Sequence, residues 1–317
     1  MFIQNLEVLS TEPLLTLAAT LAEVTTASLV ELQVKAWVQR TPIDWDRGRE
    51  SVDSLLERRI ARTREEFSRR QLPDDTLRWM IRQQLAARAD KVRARNLAPD
   101  GRTLRALAQL GDAELARAVL CRIAPLYQIR VIPATSIDWL EQEIFRRFIR
   151  ELGERVEKEL RTAEKDPAQL EHIEEEINRR LQALSRGERE ALQRDLGLTR
   201  LTGKELRAFA ARGGLTTATL AGAASTGMGL YLATTTITHA LATTLLGVTL
   251  PFAAYTTLTS ALSLLVSPVG ALVLVGAGGL IEWGKLRRAV DQRVLLHAFV
   301  TLIQGGFDSA KAAGSGT

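Results

Sequence analysis

Gly213-Gly214-Leu215-Thr216-Thr217-Ala218-Thr219-Leu220-Ala221-Gly222 opens, and Ala277-Gly278-Gly279-Leu280-Ile281 closes, a run of 69 consecutive residues without one Asp, Glu, Lys or Arg. All 42 basic and 37 acidic residues of the 317-residue chain lie outside it, so the 25% average charge content describes neither part. The run is rich in small residues, with 14 Thr and 10 Gly among Ala, Leu and Val. Small residues let helix backbones approach closely, and Ala218, Gly222 and Thr226 have the small-xxx-small spacing of helix-packing surfaces in membranes. Thr249 before Pro251 and Ser267 before Pro268 are helix-start signals that divide the run into Leu215 to Gly247, Leu250 to Val266 and Pro268 onward. The reading is a C-terminal Gly/Ala/Thr-rich hydrophobic helical hairpin.

Magnitude separates the two halves of the run. Leu262 to Ile281 holds eleven Leu, Ile or Val, each contributing about −0.3 to −0.6 kcal/mol at mid-membrane, roughly −3 to −7 kcal/mol in total before Gly, Ser and Pro268 subtract. Leu264, Leu265, Val269, Leu272, Leu274, Leu280 and Ile281 are the expected membrane-inserting residues. Leu215 to Leu232 holds four Leu, and its gain of roughly −1 to −2 kcal/mol is cancelled without a partner helix. Lys204, Arg207 and Arg212 precede the run; Lys285, Arg287 and Arg288 follow it beside Trp283, an interface-type residue. Trp283, Lys285, Arg287 and Arg288 are therefore the expected interface anchors. Basic flanks at both ends predict an even number of crossings. His239 is the sole titratable histidine inside the run and the candidate pH sensor for insertion.

The rest of the chain reads as amphipathic helix. Residues 1–99 form an N-terminal helical region, 100–212 an amphipathic helical domain, 213–284 the uncharged module and 285–317 an amphipathic helix with a flexible tail. Between Pro13 and Val38 charged residues interrupt the apolar ones, which predicts one or two packed helices. Val52, Leu55, Leu56, Ile60 and Phe67 mark a helix ended by Pro73; Asp74 or Asp75 then caps another whose stripe is Leu77, Met80, Ile81, Leu85 and Val92. Pro99-Asp100-Gly101 is a turn and a candidate boundary. Helices over Thr103 to Leu110 and Asp112 to Ala124 follow. Leu126 to Ile132 alternates weakly and predicts a short extended piece. Asp138 and Glu141 have the capping-box offset before a long helix that buries Leu140, Ile144, Phe148, Leu152 and Val156. The next helix sets Leu170, Ile173, Ile177, Leu181 and Leu184 beneath a charged face from Glu174 to Arg180, read as solvation and side-chain pairing. Thr202 and Glu205 repeat the capping-box offset before a helix that ends at Gly213-Gly214. The fold class is all-α, a multi-helix bundle carrying the hairpin.

Little here suggests chemistry. His172, His239 and His297 are far apart, with no Cys or carboxylate at metal-ligand spacing, so no metal, cofactor or catalytic residue is expected. Gly203-Lys204 is followed by Glu205 where a phosphate loop needs Ser or Thr. Cys121 sits in an apolar helical run and reads as a small core residue. The net charge of +5 is spread over Arg-rich helices, and no basic run interleaves with stacking aromatics, which argues against nucleic acid. No small-molecule substrate is indicated. The start, Met1-Phe2-Ile3-Gln4-Asn5-Leu6-Glu7, lacks the basic region of a secretory signal, so the expected location is cytoplasmic, peripheral to or inserted in the inner membrane.

Thr103-Leu104-Arg105-Ala106-Leu107, Asp112-Ala113-Glu114-Leu115-Ala116 and Trp139-Leu140-Glu141-Gln142-Glu143-Ile144-Phe145, with a Gly/Ala-rich end closing in Leu286-Arg287-Arg288, resemble the YaaW-like family of bacterial proteins. The resemblance covers about Gly101 to Ile303. It implies a bacterial, mainly helical protein with a C-terminal hydrophobic hairpin, and it supplies no catalytic residue. The functional expectation is a non-enzymatic membrane-associating protein whose partner is the lipid bilayer, with conditional insertion or pore formation by a homo-oligomer and a protein partner for the N-terminal helical region. The competing expectation is a soluble helical scaffold or chaperone-like protein with the hairpin buried at an oligomer interface.

Overall fold

The computed structural model describes residues 1–25, 52–89, 110–220, 233, 236–237 and 279–314. Every regular element among them is helical, as the periodicities predict. The helices cluster into two units, Met1–Glu141 with Ala253–Thr317, and Gln142–Phe252. The sequence-derived regions 1–99, 100–212, 213–284 and 285–317 divide the chain by composition; these units divide it by packing.

In the first unit the sequence places its most apolar helices at the centre. Helix α1 (Thr11–Glu23) buries Leu14, Leu15, Leu17, Ala18, Ala19, Thr20 and Leu21, more than one face of the helix. It packs against α2 (Val52–Arg69), α3 (Asp74–Ala89) and the C-terminal helix α10 (Gly279–Gly314). Two carboxylates of α1 fix α2: Glu23 takes Arg59 at 2.5 Å and Thr63 at 2.7 Å, and Glu12 takes Arg64 at 2.9 Å. Pro73 separates α2 from α3 as expected. The predicted stripe of α3 is buried at Leu77, Ile81 and Leu85. Asp74, predicted as a possible cap, is the first residue of α3 and accepts from the Thr11 hydroxyl at 3.3 Å. Helix α4 (Asp112–Ile123) packs on α3 and α10.

Helix α10 differs from a one-sided amphipathic helix. Val290, Val294, Leu295, Leu296, Ala298, Phe299, Val300, Leu302 and Ile303 are all buried, together with Asp291, Gln292 and His297. Burial around the circumference makes it a core element. The N-terminal 3-10 turn Phe2–Glu7 lies on it: the Phe2 and Phe299 rings meet edge-on at 5.0 Å, and the Asn5 amide donates to the Leu302 carbonyl at 2.9 Å. Gly305 and Gly306 leave the space that Leu9 and Asn5 fill.

Two local predictions are corrected. Leu126 to Ile132 is not an extended piece: Ala124–Tyr127 is a 3-10 turn, and Gln128 is left-handed at φ 56°. Arg117 donates to the carbonyls of Pro133 and Thr135 at 2.8 and 3.0 Å, so those backbone acceptors are satisfied by a side chain rather than by a neighbouring strand. The long helix α5 (Ile137–Ala163) is not opened by an Asp138–Glu141 box. The Ser136 hydroxyl accepts from the Trp139 N–H at 3.1 Å, and Glu141 instead accepts from the Phe2 N–H at 3.2 Å.

In the second unit α5 buries Ile144, Phe148, Leu152 and Val156 as predicted, and Ile149 and Leu160 beside them. Asp166 caps α6 (Pro167–Ala183) through the N–H groups of Ala168 and Gln169, with Pro167 at its first turn. Ser185 and Glu188 form a capping box on α7 (Arg186–Asp195). Thr202 caps α8 (Gly203–Ala211) by accepting from the Glu205 N–H at 3.2 Å. Helix α8 packs on α6, where Asn178 accepts from the Gly203 N–H at 2.7 Å and Glu174 accepts from Arg207 at 2.6 Å. The charged face of α6 is both solvated and paired, as read from the sequence. Glu176 is 5% exposed and held by Arg179 and Arg180.

Candidate functional site

The described parts of the uncharged stretch are its two roots and a few interior residues. The first root belongs to the Gln142–Phe252 unit. Gly213, at φ +80°, turns the chain out of α8 in a conformation that side chains resist. Helix α9 (Gly214–Leu220) starts at once. A Cβ on Gly214 would meet the Phe209 carbonyl at 2.6 Å and its ring at 2.7 Å, so the close turn depends on glycine.

Helix α5 supplies the seat for α9. Glu157 is 7% exposed, and its Oε1 accepts from the Thr216 N–H at 3.1 Å and the Thr216 hydroxyl at 2.8 Å. The first N–H groups of a helix have no partner within it, so a carboxylate here satisfies a donor that would otherwise be orphaned. One turn earlier on α5, Gly153 makes room for the fully buried Leu215: a Cβ on Gly153 would lie 3.2 Å from the Leu215 Cβ. Along the same helix Glu154, Lys158, Arg161 and Thr162 line an open recess with Glu157, and Lys165 joins them from the turn that follows. It contains no nucleophile of the Cys or His type.

Further into the stretch, Ala233, Thr236 and Ile237 are helical and buried. Of the predicted packing residues, Ala218 lies on α9; Gly222 and Thr226 lie outside the described residues, as do His239, Leu264, Leu265, Val269, Leu272 and Leu274. Leu280, Ile281, Trp283 and Lys285 fall in the first turns of α10, and Arg287 and Arg288 are exposed on it.

The second root belongs to the other unit and is built around charge. Arg88 on α3 is 7% exposed and pairs with Asp291 of α10 at 3.1 Å. Its guanidinium also donates to the carbonyls of Leu21 at 2.7 Å and Val24 at 3.0 Å, capping the C-terminal end of α1. Burial lowers the Arg88 pKa from its ordinary value; Asp291 opposes that shift, and Arg287 adds to it. On the neighbouring helix, the Gln292 amide donates to the Arg122 carbonyl at 3.0 Å. Burial also lowers the Arg122 pKa, with Asp291 opposing and Arg288 reinforcing.

Glu157, Arg88, Asp291 and Arg122 were not singled out from sequence. Asp291 carried a signal, being an acid within an apolar helix. Glu157 and the two arginines carried none, because their partners are distant in the chain. Among the described residues no group of His, Cys, Asp and Glu could hold a metal ion. Cys121 is half-buried, and burial raises its thiol pKa. His172 is exposed beside Glu175, and His297 is buried. Also among the described residues, no helix is long and apolar enough to cross a membrane. Compared with family models, curated proteins and solved structures, the chain matches none.

Proposed function

We propose that this chain is a non-enzymatic, membrane-associating protein in which the Gly213–Ile281 stretch passes from a protein-packed state to a lipid-inserted one. The observation that carries the reading is the run of 69 uncharged residues rooted at both ends in charged helical units. Burial of Ala233, Thr236 and Ile237 supports a packed resting state. The apolar content of Leu262 to Ile281 supports an inserted state, with Leu264, Leu265, Val269, Leu272, Leu274, Leu280 and Ile281 in lipid. The basic flanks contribute unequally: Arg207 is held by Glu174, whereas Arg287 and Arg288 are exposed. Several copies inserting together would form a pore in the inner membrane of a bacterium, the YaaW-like resemblance implying only the bacterial source.

The same burial favours a second reading, a helical scaffold whose hairpin stays covered in an oligomer. Vesicle flotation at neutral and acidic pH, joined to dye release, separates the two. In the membrane reading the protein floats and releases dye, and Leu274→Arg abolishes both while the helical units keep their thermal transition. A protein that stays monodisperse without detergent and never floats refutes it. In the scaffold reading Leu274→Arg lowers the yield of folded protein.

A further inference from the structure

At the second root the basic residues outnumber their partners. Arg88 is engaged by Asp291 and by the two carbonyls that end α1. Arg122, Arg287 and Arg288 make no ion pair among the described residues. The Nε of Arg122 is buried and has no hydrogen-bond partner. The Gln292 bond to the Arg122 carbonyl sets α10 against α4 at this point. Arg288 lies one helical turn before Gln292, on the same face, and Arg287 lies one turn before Asp291.

The geometry points to a phosphate-binding site formed by Arg122, Arg287 and Arg288 where α10 leaves the uncharged stretch, with the phosphodiester of an anionic lipid as its ligand. Guanidinium is planar, always charged and presents its N–H groups as a fork that matches phosphoryl oxygens. Among the described residues the carboxylate beside these groups is Asp291, itself paired to Arg88, so the site favours an oxyanion over a cation. The half-buried Arg122 has already lost part of its hydration, so a bound anion regains interactions that water does not supply there. The choice of a lipid over free phosphate rests on the membrane reading above. Trp283 and Lys285 precede these arginines in sequence, the composition of an interfacial anchor.

The test uses the full-length chain and three probes: phosphatidylcholine vesicles, the same vesicles with phosphatidylglycerol, and inorganic phosphate. Arg122→Gln and Arg288→Gln are compared with Arg69→Gln, which removes the same charge from the exposed end of α2. The Arg122→Gln substitution leaves the backbone carbonyl bonded to Gln292, and an unchanged thermal transition confirms folding; Arg122→Lys serves as a second variant. The expectation is binding selective for the anionic vesicles, weakened about five-fold by each site variant and little changed by Arg69→Gln. If no vesicle binds but inorganic phosphate raises the melting temperature of the wild type and not of Arg122→Gln, the site stands and the membrane reading falls. Equal losses in all three glutamine variants, or no preference for anionic vesicles with no response to phosphate, overturn the site.

Discussion

Replacing Glu157 by alanine should unseat α9 without unfolding the helices around it. Glu157 accepts two hydrogen bonds from Thr216, at 3.1 and 2.8 Å, and is 7% exposed. A hydrogen bond to a charged group contributes about 1.5–3 kcal/mol, so losing both costs at most about 3–6 kcal/mol. Thr216 is itself half-exposed, so water replaces part of what is lost and about 2 kcal/mol remains. That is roughly a thirty-fold change in the ratio of released to seated α9. Glu157→Gln retains an amide oxygen that can accept both bonds and loses only the charge, so its effect is about half as large on the free-energy scale.

Two measurements read this out. Hydrogen exchange at the Thr216 and Thr217 amides should accelerate in the order wild type, Gln, Ala, while amides in the middle of α5 keep their protection. If release of this root precedes insertion, dye escape from vesicles should speed up in the same order, because the variant populates the released state more. Unchanged exchange at Thr216 in the alanine variant refutes the energetic role of the Glu157 seat. Faster exchange with dye release within two-fold of wild type leaves the seat intact as a structural feature and refutes its part in insertion.

Three further outcomes follow from the packed units. Asp291→Ala strands the Arg88 guanidinium in the core and should cost about 3–5 kcal/mol in urea unfolding; Arg88→Met with Asp291→Leu should recover only part, since the Leu21 and Val24 carbonyls lose their donor. Gly306→Ala drives a methyl group into the Asn5 amide and should cost about 1–3 kcal/mol, seen as a lower melting temperature. Burial raises the Glu141 pKa above its ordinary 4.5, against the lowering effects of the chain's amino terminus and the Phe2 N–H. The folded state therefore holds this proton more tightly than the unfolded chain. The stabilisation is full below pH 4.5 and is lost as pH rises through the raised folded value. Relative to Glu141→Gln, wild type should lose stability over that rise, measured by denaturant melts at several pH values.

What was legible in the sequence is what local physics dictates. The stripe Leu140, Ile144, Phe148, Leu152 and Val156 is buried because helical periodicity alone aligns it. Thr202 caps α8 and Pro73 separates α2 from α3 because each acts within a few residues of itself. The misread positions are those with competing local solutions. Ser136 lay two residues before Asp138 and took the cap, freeing Glu141 for the distant Phe2 N–H. Leu126 to Ile132 has a strand's alternation, but its backbone closes local turns instead, with the Gln128 and Ile129 N–H groups donating to the Pro125 and Ala124 carbonyls. The partners Glu157–Thr216 and Arg88–Asp291 are 59 and 203 residues apart, beyond any periodic pattern.

These long-range partners also explain how an uncharged stretch can have defined ends. Between Gly213 and Ile281 no ionic side chain exists to fix a register, so charge must come from helices outside the stretch. At the first root Glu157 supplies it to a backbone N–H and a hydroxyl, groups that a Thr-rich sequence presents without carrying charge itself. At the second root charge begins just past the stretch, and Asp291 ties α10 to Arg88 within the core. The two fastenings differ in kind. The Glu157 seat is a pair of hydrogen bonds to one neutral, half-exposed residue, whereas Arg88 holds Asp291 and the Leu21 and Val24 carbonyls at once, so more interactions break together at the second root. Under the proposed function this asymmetry assigns the order of events: the Glu157 root lets go first, and α10 stays as the fixed post from which the stretch moves.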